Sequence, residues 1–355
     1  MQRFHVKRWM LAAIFLCCAA WAGNGWGADA ATPALSDKAA WAPPLYGFCM
    51  DIHDAKKRSL PEQAQMLREL GFHGAGYPLW LDESLDKNLQ TLDAAGLKVF
   101  LLYASVNVNP KEPAFDPRLP DAIRKLKGRP VTVCVLLRGF KPGDPQGEET
   151  AVKVLRELGD VAAEVGLRIS IYHHVSDWTE SLLYALQVVK TVDHPQVGVN
   201  FNLCHWLKVD GDKDYRPVLR EHAAKIFVVT INGAQLGSNA WTDGLIQPLD
   251  RGNFDNRQLL ATLREIGYRG PIGLMCYGIQ GDAREHLERS MKVWKRWSQS
   301  EWLPYDGACR CCYGPACCRP PNVRILRPKR PSIMRSWSPV ANCWWARMRT
   351  ATRSS

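Results

Sequence analysis

Residues 255–277 read DNRQLLATLREIGYRGPIGLMCY, and this stretch holds the rhythm that decides the fold. Leu259, Leu260, Leu263 and Ile266 fall on one helical face, the stripe of a helix packed on a sheet. Gly267 follows at the position where a helix closes in the left-handed conformation. An apolar run, 271–277, then reads as a strand. The same helix–glycine–strand joint recurs as Leu70-Gly71-Phe72, Ala95-Gly96-Leu97 and Val165-Gly166-Leu167.

Working outward, strands are predicted at 45–51, 72–78, 98–105, 131–138, 167–174, 197–204, 226–232 and 271–277. Helices are predicted at 60–70, 83–95, 117–128, 148–165, 179–192, 214–224, 255–266 and 283–298. Ser59-Leu60-Pro61-Glu62 opens the first helix as a capping box. Alternating strands and helices imply a parallel sheet. Eight such units over residues 45–299 predict an α/β fold, a single closed (β/α)8 barrel. An open doubly wound sheet is the competing architecture, but no G-x-G-x-x-G follows the first strand and no Walker loop occurs.

The two ends differ from this body. Residues 1–30 place Arg3, Lys7 and Arg8 before an apolar run from Met10 to Ala22, the order of a secretory signal peptide. Export to the periplasm or medium is therefore expected, with no membrane span left after cleavage. Residues 31–44 read as a linker. Residues 300–355 read as a disordered tail rich in Cys, Arg and Pro, or as a wrong-frame translation. No C-x2-C pair among its cysteines faces a second such pair, as a zinc site would need, and it holds no histidine.

The net charge of +11 over 355 residues belongs to these ends, because residues 31–302 are neutral overall. A neutral body gives no electrostatic case for a nucleic-acid partner. Cys49, Cys134, Cys204 and Cys276 are spread over strands and read as buried thiols. Nothing in the sequence sets the oligomeric state.

Barrel enzymes build their sites at the C-terminal ends of the strands. Those ends carry Asp51, Tyr103, Arg138, Tyr172, His174, Asn200, Asn202, His205 and Asn232, with Trp178, Trp206 and Lys208 just beyond. Alternation puts Tyr172 with His174 on one face, and Asn200 with Asn202. Such polar groups either satisfy one another inside the barrel or form a ligand mouth. The gathering on strands five to seven favours a mouth, and the two tryptophans are expected to present flat faces to a sugar ring.

The segments Gly198-Val199-Asn200-Phe201-Asn202-Leu203-Cys204-His205, Ile226 to Asn232, and Gln247-Pro248-Leu249-Asp250-Arg251-Gly252-Asn253-Phe254-Asp255, in this order, resemble the xylose isomerase-like TIM-barrel superfamily. That superfamily includes sugar isomerases and epimerases, inosose dehydratases and endonuclease IV. The resemblance implies a divalent metal held by acidic and histidine ligands on strands five to eight. Here the matching positions are Tyr172, Asn202, Thr230 and Met275, while His205 matches a substrate-contacting histidine. No metal and no cofactor are expected, since a hard cation favours carboxylates. The expected function is acid/base chemistry on a neutral small-molecule sugar, as isomerase, epimerase or lyase. Tyr172, His174, Asn202 and His205 are the expected catalytic residues. Asp51, Tyr103, Arg138, Trp178, Asn200, Trp206, Lys208 and Asn232 are the expected substrate contacts. The alternative is a non-catalytic carbohydrate-binding protein on the same barrel.

Overall fold

A computed structural model of the chain describes residues 41–299. The expected signal peptide, most of the linker and the expected tail lie outside these residues. Eight parallel strands close into a barrel in sequence order. They are β1 (Leu45–Phe48), β2 (Gly74–Pro78), β3 (Lys98–Asn107), β4 (Thr132–Arg138), β5 (Arg168–Tyr172), β6 (Val197–Asn202), β7 (Ile226–Ile231) and β8 (Ile272–Met275). The barrel closes where Leu45 to Phe48 pair with Ile272 to Met275.

Between them run α1 (Leu60–Leu70), α2 (Ser84–Ala94), α3 (Leu119–Lys125), α4 (Glu148–Glu164) and α5 (Leu182–Val192). Next come α6 (Leu203–Val209), α7 (Tyr215–Glu221), α8 (Asn256–Glu265) and α9 (Ala283–Gln299). The joints form as expected: Gly71, Gly96, Gly166 and Gly267 all have positive φ. A side chain there would be strained, which is why glycine recurs at the helix ends. At the start of α1, Ser59 donates its backbone N–H to the Glu62 carboxylate at 2.7 Å. On α8, Leu259, Leu260 and Leu263 are buried and Ile266 packs at the edge of the core.

Strand alternation divides each strand between two layers. Val133, Val135 and Leu137 of β4 join the apolar layer shared with Leu155 and Leu158 of α4. Cys134 and Leu136 point the other way, into the bore. Burying each leucine of the outer layer contributes about 2 kcal/mol.

Three expectations change. Residues 41–44 are not a free linker: Trp41 is buried and donates its indole N–H to the Tyr268 carbonyl at 2.8 Å. β6 stops at Asn202, and residues 203–209 form the extra helix α6 instead of the strand end. β5 and β8 likewise end before His173 and Cys276. Among the described residues no helix is long and apolar enough to cross a membrane.

Candidate active site at the C-terminal mouth of the barrel

Tyr172 ends β5 and is buried in the bore. Its ring lies 6.1 Å from Phe48 of β1, and Phe48 lies 5.8 Å from Tyr103 of β3. β1 and β5 stand on opposite sides of the closed barrel, so these rings span its interior. Asn202 at the end of β6 donates its side-chain amide to the Tyr172 oxygen at 2.9 Å. The backbone N–H of Asn202 donates to His173 Nε2 at 3.2 Å, and its Oδ1 accepts from the Cys204 thiol at 3.0 Å. Asn202 is thereby locked. Tyr172, already an acceptor toward Asn202, keeps its own O–H proton for another partner. Burial holds the Tyr172 pKa well above its ordinary value, so the phenol stays protonated.

His173 is a strut. Its Nδ1 faces the Glu180 carbonyl at 3.3 Å while Nε2 takes the Asn202 N–H, and burial lowers its pKa to about 4. The next residue faces the mouth. His174 Nδ1 lies 2.9 Å from the Val175 carbonyl oxygen and 3.7 Å from the Asp177 carboxylate. Asp177 is held at 3.0 Å by Arg138, whose other arm donates to Ser105 Oγ at 2.9 Å.

His205 sits in the first turn of α6, and its Nδ1 accepts the Val175 backbone N–H at 3.3 Å. The His174 and His205 rings are 4.2 Å apart, and Tyr172 lies 5.9 Å from one and 5.7 Å from the other. Burial lowers the pKa of both histidines. In His174 the Asp177 charge opposes that shift, whereas the neighbouring histidines push His205 further down. Both rings are therefore neutral at neutral pH, and His174 has the carboxylate that favours a proton.

A second group stands around Tyr103. Asp51, Arg138 and Tyr277 all act electrostatically on its hydroxyl. Asp51 also acts on Cys49 and His53, and the His53 ring meets Tyr277 edge-on at 4.9 Å. Cys49 turns the chain out of β1 with φ 54°, a left-handed conformation unusual for a side chain. That turn leads into the segment bearing Asp51. Arg138 on β4 thus stands between the two groups: it acts on Tyr103 and, through Asp177, reaches His174.

Trp178 and Trp206 do not present faces to a ligand. They are 0% and 1% exposed. Trp178 donates its indole N–H to the Asp144 carbonyl at 2.7 Å and packs on Tyr184 at 5.2 Å. Trp206 packs on Phe201 at 5.9 Å. The turn of α6 carries Trp206 into the core while bringing His205 to the mouth. Asn232 is also structural, since its buried amide donates to the Gly233 and Leu245 carbonyls at 3.0 and 2.6 Å. Asn200 is fully buried below the mouth, in register with Tyr172.

The aromatic face at the mouth is Trp241, which the sequence reading missed. It is half-buried in the segment between β7 and α8, with its ring 5.4 Å from His205. Lys208 holds that segment: its Nζ donates to the Asn239 carbonyl at 2.7 Å and lies 5.5 Å from the Trp241 ring centre. A tryptophan in the longest strand-to-helix segment at the C-terminal face was the available signal.

The positions matching the family's metal ligands do not suit a hard divalent cation. The Asn202 Oδ1 is engaged by the Cys204 thiol, and its amide nitrogen by Tyr172. Thr230 supplies only a buried hydroxyl, and Met275 only a buried thioether. Such a cation needs several oxygen donors, mostly charged, to offset its dehydration.

Comparison with known proteins agrees with this architecture. A curated relative, 3-dehydroshikimate dehydratase from Pseudomonas putida, is 29% identical over 164 residues, 44% of this chain. The match spans about a quarter of that protein's length, 25%. Among solved structures, an AP endonuclease, family 2, from Brucella melitensis superposes with TM-score 0.58 at 20% identity, covering 69% of this chain and 96% of its own. The 3-keto-D-glucoside 4-epimerase from E. coli superposes with TM-score 0.58 at 16% identity, covering 72% and 99%. The family profile described as xylose isomerase-like TIM barrel matches residues 64–297, nearly the whole barrel, and the chain therefore belongs to that family.

Proposed function

We propose that this chain is an enzyme that removes and returns a proton beside a carbonyl group on a neutral sugar or sugar derivative, without the divalent metal of its relatives. The observation that carries this reading is the convergence of His174, His205 and the Tyr172 hydroxyl at one point of the mouth. Two neutral imidazoles supply a base at neutral pH, and a protonated phenol can donate to the oxygen where negative charge develops. Asn202 orients the phenol. In this reading Asp51, Tyr103 and Arg138 hydrogen-bond the hydroxyl groups of the sugar, and Trp241 offers it an apolar face. The keto group in the name of the 3-keto-D-glucoside 4-epimerase suits chemistry beside a carbonyl. From the Arg3–Ala30 pattern we place this activity outside the cytoplasm.

The replaced ligand positions favour a second reading, a carbohydrate-binding protein without turnover. Exchange of substrate C–H protons with deuterated water, followed by NMR over a panel of ketoses and keto-glycosides, separates the two. Exchange that disappears in His174→Ala supports the enzyme. Binding without exchange supports the second reading.

A further inference from the structure

We propose that the backbone N–H and C=O of one residue, Val175, hold His205 and His174 in opposite neutral tautomers, making His174 the base of the site and His205 its hydrogen-bond donor. The inference rests on the proton-transfer reading above and assigns its direction. A carbonyl oxygen can only accept, so the His174 Nδ1 at 2.9 Å from the Val175 oxygen carries the proton. Its Nε2 then holds a lone pair. A backbone N–H can only donate, so the His205 Nδ1 that faces the Val175 N–H at 3.3 Å holds the lone pair. The His205 Nε2 then carries the proton. Two rings 4.2 Å apart thus present one basic and one acidic nitrogen.

The surroundings separate the two roles further. The Asp177 carboxylate, itself tied to Arg138, stands 3.7 Å from His174 Nδ1 and stabilises that ring once it gains a second proton. The causes acting on His205 include no carboxylate, only burial and its two histidine neighbours. Asp177 is therefore a positioning residue for the base.

The step balances within the site. A C–H bond beside the carbonyl breaks and its proton goes to His174 Nε2. The electron pair forms the C=C bond while the carbonyl becomes an enolate oxygen, held by His205 Nε2–H and the Tyr172 hydroxyl. In isomerisation His174 returns the proton to the former carbonyl carbon while the hydroxyl proton on the deprotonated carbon passes to the enolate oxygen, leaving the new carbonyl on the deprotonated carbon. In elimination the enolate re-forms the carbonyl as the β C–O bond breaks, and the hydroxyl takes the His174 proton and leaves as water. A single base returns a proton on the face from which it took it. The site is thus suited to isomerisation or same-face elimination, and not to inversion of the deprotonated carbon. The substrate class is a hydroxy-ketone sugar derivative.

The test uses the full chain labelled with 15N-histidine, with His174→Gln and His205→Gln serving to assign signals. Long-range 1H–15N spectra between pH 8 and 6 should show His174 protonated at Nδ1 and His205 at Nε2. With methyl 3-keto-β-D-glucopyranoside as probe, His174→Gln should lower exchange by about 10²-fold or more. Asp177→Asn should move the acid limb of the pH profile to lower pH, because the charge favouring protonated His174 is gone. Like tautomers in both rings, or the reverse pair, overturn the assignment even if exchange persists. The expected tautomers with no exchange on any keto-sugar of the panel overturn the proton-transfer reading and the base role with it.

Discussion

The His174 and His205 rings lie 4.2 Å apart although one belongs to the segment leaving β5 and the other to the first turn of α6. The backbone of Val175 touches both, one through its N–H and the other through its carbonyl. Tyr172 completes the group from the top of the bore, with its oxygen already accepting from Asn202. Tyr172→Phe keeps the ring packing and removes only the hydroxyl. It should lower kcat by about 10²-fold, the order seen when a donor to a developing oxyanion is lost. It should cost about 1–2 kcal/mol of stability, because the Asn202 amide loses its acceptor. Steady-state kinetics and a urea melt check both; unchanged kcat would remove Tyr172 from the chemistry.

The tryptophans should divide by role. Trp241→Ala should raise KM about 10-fold with little change in melting temperature, since its half-buried ring faces the mouth. Trp178→Ala should instead destabilise the barrel by about 3–5 kcal/mol, because that ring is fully buried. Equal loss of stability in both variants would refute the division.

Acid should destabilise this protein over a defined window. Burial lowers the pKa of His173 and of His286 to about 4 from a model-peptide value of 6.5. Both are neutral when folded, so the unfolded chain binds more protons below pH 6.5. Their contribution is complete above that pH and is lost as pH falls toward 4, by about 3 kcal/mol for the fully buried His173. His286, which borders a cavity of about 260 Å³ between the β7 and β8 loops and α9, has a buried Nδ1 with no hydrogen-bond partner among the described residues. His286→Leu should therefore be neutral or stabilising at pH 7 and flatten the acid slope. Thermal melts from pH 7 to pH 4 read this directly, and a flat wild-type profile would contradict it.

Chelation should leave the activity intact. Tyr172, Asn202, Thr230 and Met275 offer no carboxylate where the family binds its metal. Turnover abolished by a chelator and restored by one divalent ion would overturn the assigned acid–base roles as well.

Export follows from the sequence of residues 1–30 and concerns a region outside the described residues. Mass spectrometry of protein made in its own host should find an N-terminus near Gly23 or Ala31. Soluble cytoplasmic protein retaining Met1 would exclude it.

The repeat of amphipathic helix, glycine and apolar run was enough to establish eight strand–helix units, because periodicity and helix-end glycines are local properties. The same local logic placed Tyr172, Asn202 and Arg138 at strand ends. It misplaced what depends on where a strand stops. As strand residues, Asn202 and His205 would face opposite sides, yet the turn into α6 at Leu203 brings both to the mouth and sends Trp206 into the core. Trp241 carried no periodic signal, and its place over the site shows only in tertiary contacts, its ring against His205 and the Lys208 bond to the Asn239 carbonyl. The tautomers of His174 and His205 are likewise beyond any sequence pattern. They depend on the backbone of Val175, which both rings reach only when the barrel has closed, since a hydrogen bond's direction is set by the partner that packing supplies.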